Sequence, residues 1–408
     1  MFKKKVIRLA IILLLPLAFI LSQCFKQHPA GTDPRGEDYA GSATCKSCHK
    51  NVYTSYLHTA HFMASRPSDD STIQGSFTKG ANEFVFNPHI KVVMDKHKNG
   101  FYQTSYIDSK KDQSQRFDIS FGGVKGQSYA YWFTNEMFQL PISYEVSGHA
   151  WINSPGYSND KAAFERVVST RCLDCHVSSI KSAPAQVPGY YDAEGYDKKS
   201  LVYSVDCERC HGPAAEHVKF QTENPEEKKA KFIVTFKSLS RDQKINMCAV
   251  CHSGLDSRII KPVFGFKPGD TLSNYMVSNS NGSPIDYKTI DVHGNQRALL
   301  GSSKCFISSN MDCSTCHNTH VNDRDKVNLY AARCQTCHSN TGNHVFCKLT
   351  GKLSTDMLTN NCISCHMPAF ASKTIVTGNS GALVHTHHIG IYTDQTQKIL
   401  AYLKVKIN

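Results

Sequence analysis

A cysteine, two spacer residues, a second cysteine and at once a histidine recur seven times in this chain. The copies are Cys45-Lys-Ser-Cys48-His49, Cys172-Leu-Asp-Cys175-His176, Cys207-Glu-Arg-Cys210-His211, Cys248-Ala-Val-Cys251-His252, Cys313-Ser-Thr-Cys316-His317, Cys334-Gln-Thr-Cys337-His338 and Cys362-Ile-Ser-Cys365-His366, numbered here motifs 1 to 7. The chemistry this set can do is covalent haem attachment. The two thiols form thioethers to the porphyrin vinyl groups, and the histidine beside them is held under the iron as its proximal ligand. Zinc also uses paired Cys-x-x-Cys, but it does not need a histidine after every pair. The expected cofactor is therefore seven covalently attached haem c groups with their iron.

A six-coordinate haem needs a second axial ligand, and thirteen of the twenty histidines remain for that role. Helix geometry constrains which they are. His61 lies twelve residues after His49, about 18 Å along a helix, so it must serve another iron. His320 follows His317 by three residues and His217 follows His211 by six, each too close to cap its own iron. Both are expected to ligate neighbouring haems, which forces haems close together. His293 and His344 are further expected ligands. In the cluster His385-Thr-His387-His388 the expected ligand is His385, with the others near haem propionates. His58 is the fallback for His61. His149 reads as structural, and His28, His89 and His97 as surface residues.

The formal charge of +12 contains Lys3, Lys4, Lys5 and Arg8 of a leader, which leaves about +8 on the mature polypeptide. Haem propionates offset that remainder, so the basic balance gives no reason to expect nucleic acid as a partner. Residues 1–23 have a basic start and an apolar run from Leu9 to Leu21, as a secretory signal does. Cys24 ends that run, belongs to no motif and reads as a lipidated anchor, with 24–40 as a flexible tether. Cys305 and Cys347 are the other two cysteines outside the motifs. In an exported protein they could form a disulfide or remain two thiols.

These groups must be positioned by something. Apolar content is only 40%, so haems are expected to form much of the core. The expected fold is mainly α and irregular, with a small antiparallel β-meander inserted near residues 80–150. Phe84 and Phe86, Ile90, Val92 and Met94, Phe117, Ile119 and Phe121, and Phe138, Leu140, Ile142, Tyr144 and Val146 alternate as strands do. Asn99-Gly100 signals a tight turn, and Trp132 and Trp151 are expected in the meander's core. A helix with Tyr53, Tyr56, Leu57, Ala60 and Ala64 on one face is expected after His49. The division expected is 41–171 for the first haem and the meander, and 172–408 for six haems.

Tyr39-Ala-Gly41 before Cys45, Ser55-Tyr-Leu-His-Thr-Ala-His61 after it, Cys207-Glu-Arg-Cys210-His211-Gly-Pro213 and Cys313-x-x-Cys316-His317-x-x-His320 resemble multihaem c-type cytochromes of the cytochrome c554 class. The resemblance covers most of residues 39–390. It implies clustered haems with mostly two histidine ligands and periplasmic electron transfer, and it permits one open iron. No motif has lysine in place of the histidine, the mark of the catalytic haem in pentahaem nitrite reductases. The function expected is electron transfer in the bacterial periplasm or at the cell envelope. Its partners would be other redox proteins or quinol-linked membrane complexes. An oxidoreductase with one open haem acting on a small nitrogen or sulfur compound, and a subunit of a conductive filament, are the alternatives.

Overall fold

The computed structural model describes residues 33–186, 194–277, 286–338, 347–377 and 380–403. The alternation read from Phe84 onward resolves there into two antiparallel sheets. The first has four strands in sequence order: β2 (Glu83–Asn87), β3 (Ile90–His97), β4 (Gly100–Ile107) and β5 (Lys110–Arg116). Its β3–β4 hairpin pairs His97 with Gly100, so the two-residue turn is Lys98-Asn99. Gly100 instead opens the next strand at φ 138°, a conformation an L-residue rarely adopts.

The second sheet has nine strands. Along β1 (Ser65–Pro67), β6 (Ile119–Gly122), β7 (Gly126–Phe133), β8 (Glu136–Gln139), β13 (Gly195–Tyr203) and β12 (Val177–Ala183) each neighbour pairs with the next. β9 (Ile142–Glu145) joins β7 to β10 (Ala150–Asn153), and β11 (Arg166–Val167) pairs with β8.

The expectation of a mainly α and irregular fold with one small meander is therefore overturned. Of the described residues 30% are helical and 27% are in strands, and the largest sheet among them is the nine-stranded antiparallel one. The reason lies after motif 2. Val177, Ile180, Tyr196, Leu201 and Tyr203 are β-branched or bulky residues that suit a pleated, half-buried surface. They add β12 and β13 between motifs 2 and 3, where irregular connections were expected. The sheet is consequently continuous across position 171, with Gly195 paired to Glu136.

Alternation along the strands gives this sheet two apolar faces. Tyr129, Tyr131, Phe138, Leu140, Ile142 and Trp151 pack with Val92, Met94 and Phe101 of the four-stranded sheet. Buried Gln103 ties the sheets together, donating to the Ile142 carbonyl at 2.7 Å and accepting from its amide at 2.9 Å. On the other face Ile119, Ala130 and Met137 pack against Leu173 of the motif 2 helix, with Val177, Ile180 and Tyr196. Trp151 lies in the first core, whereas Trp132 only flanks the second.

The helix after His49 is shorter than expected, Lys50–Tyr56, and is followed by a 3-10 turn at Phe62–Ala64. No helix among the described residues is long and apolar enough to cross a membrane.

Candidate haem-binding site

Five of the seven motifs place their histidine at the end of a helical segment. Thr170–His176, Cys207–His211, Arg241–His252, Val327–His338 and Cys362–His366 all finish on the motif histidine. In motif 5 the 3-10 turn Cys313–Thr315 ends two residues before His317. A helical turn brings the two cysteines, three apart, onto one face with the histidine beside them. The caps come from the sequence. Asp206 accepts from the Arg209 amide, Ser240 and Gln243 form a capping box, and Asp312 caps motif 5. After motif 4 the chain turns at Gly254, φ 83°, where a Cβ would collide with the Asn295 side chain.

Motif 3 is locked to the segment preceding motif 1 by a buried charge cluster. Arg35 Nη2 lies 2.8 Å from both Asp206 and Glu208. Glu208 also accepts from the amides of Ala40, Gly41 and Ala214. Removing one partner from such a buried set costs about 3–5 kcal/mol, because the remaining charges are left uncompensated.

The motifs are gathered against one another. Cys45 and Cys207 lie beside each other, as do Cys175 and Cys251, Cys248 and Cys313, and Cys334 and Cys362. Cys210 lies in the field of Cys251, and Cys316 in that of Cys337. Motif 1 thus abuts motif 3, motif 4 abuts 2, 3 and 5, motif 5 neighbours 6, and 6 abuts 7. Cys305 and Cys347 are both free thiols. Cys305 sits near Cys337, and Cys347 near Cys365.

Among the described residues, three pairs of imidazoles face each other across a gap. His49 and His217 have ring centroids 6.4 Å apart with planes 16° from parallel. His211 and His320 are 6.0 Å apart at 16°, and His317 and His387 are 5.9 Å apart at 27°. Direct ring stacking in this molecule is closer: Tyr287 and His388 lie 3.8 Å apart at 7°. A metal–imidazole bond of about 2 Å on each side, plus the distance from nitrogen to ring centre, puts two trans ligands at about 6 Å. The pairs fit an iron between them.

The hydrogen bonds fit as well. Nδ1 of His176, His211 and His366 contacts the carbonyls of Ala64, Val234 and Gly390 at 3.1, 2.9 and 2.9 Å. Nδ1 of His252 contacts Gln296 Oε1 at 3.1 Å, and that of His217 the Lys231 carbonyl at 2.8 Å. A proton held on Nδ1 leaves Nε2 free to bind metal. Loss of water pushes His61 and His387 down to about 4. Both are then neutral at pH 7, the form that ligates.

The remaining expected ligands are placed differently. His61 lies in the field of His252, and His293 in that of His176 and His252. His385 does not face His317; its Nδ1 is 2.6 Å from the Met367 carbonyl, beside motif 7. His388 is held by Ser302 and Tyr287. His344 and Cys24 lie outside the described residues. Sequence reasoning did not single out His387, Gln296 or Tyr330, because only the register of the C-terminal hairpin and the packing of helices bring them to motifs 4 and 5.

Residues 148–212 match the family model "Cytochrome c554 and c-prime", a stretch that contains motifs 2 and 3. No curated protein matches the chain. A solved structure titled "Crystal Structure of Outer Cell Wall Cytochrome OcwA" is similar in fold at 15% identity and TM-score 0.51, covering 89% of this chain and 81% of that one. The repeated Cys-x-x-Cys-His turns, the imidazole pairs and the matched segment together support a multihaem c-type cytochrome, with covalently bound haem c, in an electron-transfer role.

Proposed function

We propose that this chain carries seven haem c groups and passes single electrons between redox partners at a bacterial cell envelope. Haem c, when bound, supplies a one-electron ferric/ferrous couple. The observation that carries the proposal is cross-ligation. His217 follows motif 3 yet faces the histidine of motif 1, and His320 follows motif 5 yet faces that of motif 3. A ligand borrowed from the segment after another motif, two places along the chain in both cases, would tie the spacing of two irons to the backbone between them. The chain's work is to bind, space and tune: fourteen cysteines anchor, seven histidines ligate from below, and His61, His217, His293, His320, His344 and the C-terminal cluster supply ligands from above.

The same reading takes residues 1–23 as an export signal and Cys24 as a lipid anchor that holds the carrier at a membrane surface. There it would meet other redox proteins or a quinol-linked complex. Two measurements test these points. Mass spectrometry of the mature protein should show seven haem additions, and six or fewer in fully matured material would defeat the count. A Cys24→Ser variant should leave the membrane fraction, and retention there while still processed would defeat the anchor.

A further inference from the structure

Of the three imidazole pairs, the one at motif 5 stands apart in its hydrogen bonding. In the motif 1 pair His217 contacts a carbonyl at 2.8 Å, and in the motif 3 pair His211 does so at 2.9 Å. Their partners His49 and His320 are exposed, as is His317 of the motif 5 pair, so the difference lies in the carbonyl contacts. Among the described residues, neither imidazole of the motif 5 pair makes an aligned Nδ1 hydrogen bond to a carbonyl. His317 Nδ1 meets only the Tyr330 hydroxyl, at 3.4 Å. His387 Nδ1 is buried without a hydrogen-bond partner, the His385 backbone being in range but not aligned for a bond.

A strong acceptor on Nδ1–H makes an imidazole more basic and more electron-donating toward its metal, which favours the oxidised iron. The motif 5 pair has the weakest direct acceptors, which favours the reduced iron there, while the Asp323 carboxylate acting on His317 opposes that effect. The pair also occupies a junction. Cys313 meets Cys248 of motif 4, Cys316 lies near Cys337 of motif 6, and His320 reaches back to motif 3.

We propose that the haem held between His317 and His387 has the highest reduction potential of the three, and that Tyr330 is a positioning residue that sets it. This rests on the carrier reading above. An electron entering from either end of the motif series would rest at the junction between motifs 3 and 4 and motifs 6 and 7, leaving the donor haem oxidised by one electron.

The test is a spectroelectrochemical titration of the whole haem-loaded protein, followed by EPR, with two variants. Tyr330→Gln places an amide oxygen beside His317, as Gln296 does beside His252. It should lower the highest of these potentials by about ten-fold in its equilibrium constant, which is 59 mV for one electron. Tyr330→Phe, nearly the same shape, removes the weak acceptor and should move the same component up by a smaller factor. In His387→Ala the iron that turns high-spin should be this same highest component. The proposal is overturned if neither Tyr330 variant moves it while every haem is retained and low-spin, or if the high-spin iron in His387→Ala belongs to a lower component. A haem count short of seven in the unmodified protein would instead count against the carrier reading.

Discussion

His217→Ala should turn one low-spin iron of the ferric protein high-spin. His217 stands opposite His49 at 6.4 Å between ring centres, and the Lys231 carbonyl fixes its ring from behind. Alanine removes the imidazole and leaves the motif 1 iron with His49 alone. The ferric EPR spectrum should then gain one high-spin signal and lose one low-spin signal. The ferrous protein should bind carbon monoxide at that site, and one reduction potential should shift. His320→Ala should do the same at motif 3 and His387→Ala at motif 5. His385→Ala separates the geometry from the sequence reading, because its ring lies by Met367 and not opposite His317. It should leave the motif 5 iron low-spin. If His217→Ala produces no new high-spin iron, His217 is not a ligand and the cross-ligation scheme fails at that step.

The cofactor could be read from spacing because covalent attachment is a local demand. Two thiols and a histidine within five residues must sit on one turn, and the turn is written in those residues and their caps Asp206, Ser240 and Asp312. The exclusion that sent His217 and His320 to other irons was also local, since it used only rise per residue. What could not be read depends on contacts between distant segments. His387 rather than His385 faces motif 5 because the hairpin Ala369–Thr377/Ser380–His385 ends with Ala369 opposite His385, and the chain beyond turns inward at buried Thr386. A slip of one residue exchanges such neighbours between faces. The fold class was misread for a similar cause. β12 and β13 lie between motifs 2 and 3, and their pairing carries two register shifts, between Val177 and Ser179 and between Ser179 and Lys181, which break the simple alternation. Only pairing with β8 makes them part of one sheet.

Loss of attachment at motif 4 should cost more stability than at any other motif described here. Its helix, Arg241–His252, buries Ile245, Ala249 and Val250. Cys248 meets Cys313, Cys251 meets Cys175, and Cys210 is close by, so motifs 2, 3 and 5 all pack around it. A bound porphyrin there would supply core to every one of these neighbours. Changing both Cys248 and Cys251 to serine removes the covalent hold. The space left would exceed that of a large aromatic side chain, whose deletion alone costs about 3–5 kcal/mol. Motif 7 is the control. Its helix Cys362–His366 has no buried residue, and motif 6 is the one motif it abuts among the described residues. Cys362→Ser with Cys365→Ser should therefore remove one haem and leave the rest folded, with a small fall in melting temperature. The motif 4 pair should remove one haem and lower the melting temperature by far more, or yield no folded protein. Circular dichroism melts of both variants, each checked for six haems by mass, decide the matter. Equal falls would mean that the haems contribute to the core independently of their neighbours, and that motif 4 is not the hub its contacts describe.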